Sequence, residues 1–321
     1  MKASVVVLTY NAGPAFEGLL ESLIAQETDF DYEVLVVDSG STDGTAELAR
    51  RYGVGVHRIP QTAFDHGMTR NTGISLSRGE YVALIVQDAV PLDSWWLAAM
   101  VENLDRDGLV AGVYGRQIPR PESGALTRAL VSGWPTAAHE RREQFVGTPG
   151  LYREMPPRER RLLATFDNVS SCLRRSVWEQ IPFEQTSFGE DLRWGARVIE
   201  AGYKLVYEPR SAVLHSHERG GLYDLRRNYV DQLVLLDLFE LELVPSSWRL
   251  VLNILRSTGY LYLRLRRDQE MEGGAARRAL LAFRYALLSQ VGAYLGVKNL
   301  RLAGVSPRAS ARLDDFMSGG I

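Results

Sequence analysis

Val36-Val37-Asp38-Ser39-Gly40-Ser41-Thr42-Asp43-Gly44 closes an apolar run with a carboxylate and then breaks into turn-forming and capping residues. A strand that ends this way, before a helical stretch, is the opening of a βαβ unit. The neighbouring segments keep that rhythm: a strand over 4–9, a helix over 15–26, a strand over 33–38, a helix over 42–52 and a short strand over 54–58. A helix over 68–77 leads into the apolar run 81–86, which ends in Gln87-Asp88-Ala89. Ligands of open α/β sheets sit beyond the carboxyl ends of the strands, so Thr9-Tyr10-Asn11, Asp38-Ser39-Gly40 and Gln87-Asp88 are expected to meet in one crevice. Thr9, Asn11 and Asp38 there suit ribose hydroxyls and a base edge, which offer paired donors and acceptors. Thr42 and Asp43 serve equally well as helix caps.

Beyond this frame the pattern changes twice. Residues 117–161 are rich in Pro, Gly and charge with weak periodicity, which predicts a long excursion near the site rather than core. A second ordered block follows: a strand over 168–173, short helix 175–180, helix 190–201, and strands over 204–208 and 212–215. After Gly221 the pattern is helical to the end. In a helix over 246–267, Arg249, Arg256 and Arg267 fall on nearly one line, with apolar residues around much of the remainder. The stretch 279–302 is the most apolar, but Arg284, Gln290 and Lys298 interrupt it, so it is not expected to span a membrane.

With 321 residues, 45% hydrophobic and 24% charged, the chain is long enough for a full core. Its net charge of -2 conceals a division: 25 basic against 32 acidic residues precede Glu240, and 12 basic against 7 acidic follow from there. The acidic front argues against nucleic acid as a partner. The basic tail suits an anionic surface such as the cytoplasmic leaflet of a membrane; equally, its apolar faces pack on the catalytic domain or on a second subunit of a homo-oligomer and leave the arginines solvated. A single cysteine, Cys172, leaves no intramolecular disulfide and no Cys-based zinc site, compatible with a reducing compartment. The N-terminal apolar run is too short for a signal peptide, and a cytoplasmic protein is expected, peripheral to the inner membrane face if the tail binds lipid.

Four motifs occur in order: Val7-Leu8-Thr9-Tyr10-Asn11; Val36-Val37-Asp38-Ser39-Gly40-Ser41-Thr42-Asp43-Gly44; Thr69-Arg70-Asn71-Thr72-Gly73; and Gln87-Asp88-Ala89-Val90-Pro91. Together they resemble the inverting glycosyltransferase family 2. The Gln-Asp-Ala form, with Phe64-Asp65-His66-Gly67 upstream, is similar to the bacterial rhamnosyltransferase-type branch. The resemblance covers about residues 3–230. It implies a GT-A fold: an α/β, Rossmann-like mixed sheet with helices on both faces and a helical C-terminal extension. The implied domains are a catalytic domain over 1–230, with a nucleotide-sugar half (1–116) and an acceptor half (117–230), and a helical region over 231–321.

The resemblance also assigns roles. Arg70 and Gln87 join Thr9, Asn11 and Asp38 on the donor, a nucleoside-diphosphate sugar, with dTDP-L-rhamnose implied by the branch. Family members commonly carry Asp-x-Asp where Val86-Gln87-Asp88 stands here, so Asp88 remains as the metal carboxylate. His215, at the position of a metal-binding histidine, offers a second ligand to Mg2+ or Mn2+. No organic cofactor is implied. By the match to the family's Glu-Asp motif, Asp191 is the catalytic base with Glu190 in support, although acids at a helix start also favour the helix dipole. Asn168, Ser171 and Trp194 fall on the acceptor side, toward a growing glycan or lipid-linked acceptor in cell-surface polysaccharide synthesis. Arg226 is placed to pair with the pyrophosphate, or is a solvated arginine. A nucleotidyltransferase would use a similar crevice, but the front lacks a Gly-rich, cation-bearing phosphate loop. A non-catalytic membrane-associated scaffold is the remaining alternative.

Overall fold

Short runs of Val, Leu and Ile without a helical period suit strands of a sheet covered on both faces, and the front of the chain takes that route. A computed structural model describes residues 1–268 and 271–319. Residues 269–270 and 320–321 of the expected helical region lie outside the described residues. The strands are β1 (Ala3–Thr9), β2 (Tyr32–Asp38), β3 (Gly55–Arg58), β4 (Tyr81–Val86), β5 (Val90–Pro91), β6 (Val110–Ile118), β7 (Arg142–Gln144), β8 (Ser170–Arg174) and β9 (Lys204–Leu214). They form one mixed sheet in the order β3-β2-β1-β4-β8-β6-β9-β5, with β7 also paired to β9.

β1, β2, β3 and β4 are mutually parallel, and β8 enters antiparallel between β4 and β6. The parallel register sets Thr9 beside Asp38 and Leu8 beside Val86, so the polar ends of three strands arrive at one edge. Val5, Val6 and Val7 of β1 are fully buried, each contributing roughly 1.5–3 kcal/mol by its removal from water. Phe16, Leu19 and Leu20, from the helix Phe16–Ile24, pack into the same core.

Two sequence expectations are corrected. The strand β6 was not foreseen, and Gln117, taken as the start of an irregular excursion, is 3% exposed within it. The strands expected over 204–208 and 212–215 are one strand: Glu208 pairs with Gly115 and Ala212 with Arg116, so Pro209, Arg210 and Ser211 bulge out of the ladder. Proline lacks the N–H that a ladder position needs, and a bulge absorbs it.

The chain forms two compact units, Met1–Ile118 with Trp134–His215, and Pro119–Gly133 with Ser216–Ile321. The sheet belongs to the first. The second holds the helices Ala125–Val131, Gly221–Phe239, Ser247–Arg267, Ala275–Ala303 and Pro307–Ser318. Gly221–Phe239 runs unbroken through residue 230, where a domain boundary was expected. Among the described residues, Ala275–Ala303 alone is long and apolar enough to cross a membrane. Its buried residues are mostly small, among them Ala282, Ala286, Gly292 and Gly296, and a Cβ on Gly292 would stand 2.1 Å from Leu225 O. Close backbone approach to a neighbouring helix within its own unit explains that face.

Candidate active site

The ends of β1, β2 and β4 are tied to each other by their own polar groups. Thr9 Oγ1 donates to Asp38 Oδ1 at 3.2 Å, while Asp38 Oδ2 receives Ser41 N–H at 3.1 Å and pairs with Arg58 Nε at 3.2 Å. Asp38 is fully buried. Asn11 adopts the left-handed φ of 44° that asparagine tolerates, and its Oδ1 accepts Thr42 N–H at 2.9 Å. Gln87 acts as a backbone stand-in: its oxygen accepts Tyr10 N–H at 2.8 Å and its nitrogen donates to Tyr10 O at 3.2 Å. Thr9, Asn11, Asp38 and Gln87 are thus brought together at one sheet edge as expected, where their hydrogen bonds tie the ends of β1, β2 and β4. Arg58, not singled out in the sequence, completes the charge around Asp38. Ser39 Oγ, in a residue 1% exposed, has no hydrogen-bond partner among the described residues. A buried hydroxyl left so at a strand end is an unfilled polar position.

A second group gathers where β8 meets the helix Glu190–Glu200. Gly189 takes φ 76°, a left-handed turn that side chains resist, and starts that helix at the two acids. Arg70 comes from the helix His66–Leu76, whose start is fixed by Asp65: its carboxylate accepts Gly67 N–H at 3.0 Å and Met68 N–H at 2.8 Å. A Cβ on Gly67 would lie 2.0 Å from Glu184 O, so only glycine lets this helix approach. Arg70 then pairs with Glu190 at 3.0 Å, both nearly buried, and donates to His66 O at 2.9 Å. Asn168 Nδ2 donates to the same Glu190 oxygen at 3.2 Å, and Asn168 Oδ1 accepts Ser171 Oγ–H at 3.0 Å.

The two acids are driven apart. Burial opposes ionisation of Glu190, but Arg70, His66 and the Asn168 amide outweigh it and hold its carboxyl below the ordinary value. Asp191 beside it is half-buried; loss of water around the carboxyl and its negative neighbours Glu190 and Asp167 push it up to about 8. Its Oδ1 accepts Leu192 N–H at 2.7 Å. Arg70, Asn168 and Ser171 therefore serve Glu190. Trp194, expected on the acceptor side, is 1% exposed: its indole packs on Phe166 and Phe183 and donates to Ile181 O at 2.7 Å, so it supports the helix from the interior.

A third line of contacts connects Asp167 with Asp88. Gln117 Nε2 lies 2.5 Å from Asp167 Oδ2, Gln117 Oε1 lies 2.9 Å from His215 Nδ1, and His215 Nε2 lies 3.8 Å from Asp88 Oδ1. An imidazole nitrogen and a carboxylate oxygen at that separation can both touch one cation, since each bond is about 2.1 Å long. The donor set fits a hard or borderline divalent ion such as Mg2+ or Mn2+. His217 follows two residues later, in the second unit. Gln117 escaped the sequence reading, although the short apolar run Val110-Ala111-Gly112-Val113-Tyr114 before it was the available strand signal. Arg226 lies in the second unit, where it donates to Gly319 O at 2.6 Å and stacks on Phe316. Cys172 is fully buried, and burial pushes its thiol far above its usual range, which suits packing.

Comparison with known proteins adds the following. The family model described as glycosyl transferase family 2 matches residues 4–173. The O-antigen chain rhamnosyltransferase RfbN of Salmonella typhimurium is 30% identical over 223 residues, 68% of this chain and 67% of that one. The N-acetylglucosaminyl-diphospho-decaprenol L-rhamnosyltransferase of Mycobacterium tuberculosis (strain H37Rv) is 30% identical over 250 residues, 67% of this chain and 77% of that one. Among solved structures, S. aureus TarS 1-349 in complex with UDP matches with a TM-score of 0.53 at 17% identity, covering 94% of this chain and 92% of that one. At that identity the likeness concerns the fold.

Proposed function

The chain belongs to glycosyltransferase family 2, and from that premise we propose that it transfers L-rhamnose, with inversion, from a nucleoside-diphosphate donor to a hydroxyl of a glycan or lipid-linked acceptor. The observation that carries the mechanism is the geometry of two adjacent carboxyls at the start of one helix: Glu190 is paired with Arg70 at 3.0 Å and bound by the Asn168 amide, while Asp191 faces the negative Glu190 and Asp167 and is raised to about 8. A base works best with a pKa near the working pH, so Asp191 is the group for removing the acceptor proton. In the reaction the acceptor oxygen gives its proton to Asp191 and bonds the anomeric carbon. The bond from that carbon to the diphosphate oxygen breaks on the opposite face, which inverts the configuration. Asn168 and Arg70 act by holding Glu190, and through it the start of the helix that carries Asp191.

The ends of β1, β2 and β4 are the donor side, where Asp38, Asn11 and Gln87 hold the loop backbones in place. Asp88 and His215 are the residues to hold a divalent cation, which when bound neutralises charge on the leaving diphosphate. Both rhamnosyltransferase relatives support the sugar, and their O-antigen and diphospho-decaprenol names support a polysaccharide or lipid-linked acceptor.

The helix Ser247–Arg267 supports attachment to an anionic membrane surface. Its exposed side carries Trp248, Val251, Leu255, Tyr260 and Leu263 together with Arg249, Arg256 and Arg267, apolar and cationic groups on one helix. The basic excess of the tail acts in the same sense.

The test is a panel of nucleoside-diphosphate sugars offered to the purified protein with and without Mn2+, with the product anomer read by NMR. Transfer of L-rhamnose with inverted configuration is expected, and only with the cation. Retention of configuration, or full activity in excess chelator, contradicts the mechanism.

A further inference from the structure

We propose that Gln117 is a positioning residue that fixes the proton of His215 on Nδ1 and so leaves the Nε2 lone pair facing Asp88. The inference rests on the reading of Asp88 and His215 as cation ligands, and it concerns how the chain prepares one of them.

An amide side chain can be turned end for end with almost no change of shape, so its neighbours decide which end is which. Here the deciding neighbour is Asp167. A carboxylate only accepts; Asp167 Oδ1 takes Val169 N–H at 2.9 Å, and Oδ2 faces Gln117 at 2.5 Å. The NH2 end of Gln117 must therefore point to Asp167. That leaves its oxygen 2.9 Å from His215 Nδ1, and an amide oxygen also only accepts. Nδ1 must then carry the hydrogen. In a neutral imidazole a proton on one nitrogen leaves a lone pair on the other, so Nε2, 3.8 Å from Asp88 Oδ1, is the ligating atom.

The backbone holds this sequence of choices in place. Gln117 is in β6, paired in register with Val213 of β9, and His215 N–H donates to Ile118 O at 2.9 Å. Gln117 is 3% exposed and His215 8%, so water competes poorly for either contact. Partners behind a metal-ligating histidine typically change metal affinity about 10- to 100-fold when lost.

A one-atom change tests the logic. In Asp167→Asn the oxygen stays with Val169 N–H, and the new NH2 group faces Gln117. Gln117 must then turn its oxygen to position 167 and its NH2 to His215, forcing the proton onto Nε2. Imidazole 15N shifts of His215, assigned by its loss in His215→Gln and read near pH 8 without metal, are expected to show Nδ1–H in the wild type and Nε2–H in Asp167→Asn. Gln117→Leu is expected to lose the Nδ1–H preference. Mn2+ titration should show affinity at least about 10-fold weaker in both variants. An Nε2–H tautomer in the wild type overturns the proposal, as do variants that keep Nδ1–H and bind Mn2+ like the wild type. Nδ1–H in the wild type without Mn2+ broadening of His215 supports the proposal and overturns the ligand reading instead.

Discussion

Burial alone would favour the protonated form of both Glu190 and Asp191; what separates them is company, a guanidinium for the first and two carboxylates for the second. Removing that guanidinium leaves an uncompensated charge in the interior, so Arg70→Met is expected to cost about 3–5 kcal/mol in denaturant unfolding. An unchanged midpoint would mean that the pair holds nothing. For Asp191 the raised value gives kcat/KM an acid limb near pH 8, activity rising as the carboxyl ionises. Asp167→Asn removes one of the charges that raise it and should move that limb to lower pH. The same shift has a stability side. A carboxyl whose folded value exceeds its unfolded value of about 3.9 contributes stability that is fully present below that pH and lost as the pH rises through 8. Asp191→Asn is therefore expected to melt at a higher temperature than the wild type above neutrality, and equal melting at pH 9 would count against the burial of charge there. The sequence displayed both acids and their place at a helix start, but the residues that set their states, Arg70, Asn168 and Asp167, are distant in the chain. Position 87 makes the same point: an amide at a strand end reads as a ligand contact, while its oxygen and nitrogen both go to Tyr10.

Strands that run apolar without interruption were legible, β9 was legible only as two pieces on either side of its bulge, and the glycine-bearing β6 was missed. β1, β2 and β4 are near-continuous apolar runs, whereas β6 contains Gly112, Gly115 and Arg116, and β9 carries its bulge at Pro209. Gly115 is required by contact, since a Cβ there would stand 2.3 Å from Ser211 O. Glycine as a spacer also governs the helical unit. Gly292→Ala would press a methyl group against the backbone at Leu225, and a loss of about 1–3 kcal/mol in thermal unfolding is expected. For Ser247–Arg267, the helix and its arginine line were readable from residue spacing, and the structure adds that Trp248 and Leu255 are exposed on the same helix. Flotation with anionic vesicles at low salt and release at high salt is expected, with Arg249, Arg256 and Arg267→Gln together failing to float. Failure of the unaltered protein to float under both conditions would assign that face to another partner.

Family membership, the mixed sheet and the meeting of the strand ends were all readable from ordered motifs, because those depend on local runs of residues. The division of the chain was less so. Pro119–Gly133 belongs with the helices although it follows β6 directly, and its Pro- and Gly-bearing composition resembles that of the residues after it, which belong to the sheet-bearing unit. What the chemistry rests on is Asp191 as the proton acceptor, and one substitution separates that role from the others. The rate of sugar transfer by Asp191→Asn, set against its affinity for the nucleoside-diphosphate donor, is expected to fall about 10²- to 10⁴-fold with donor affinity nearly unchanged. A stable Asp191→Asn protein that turns over near the wild-type rate would contradict it.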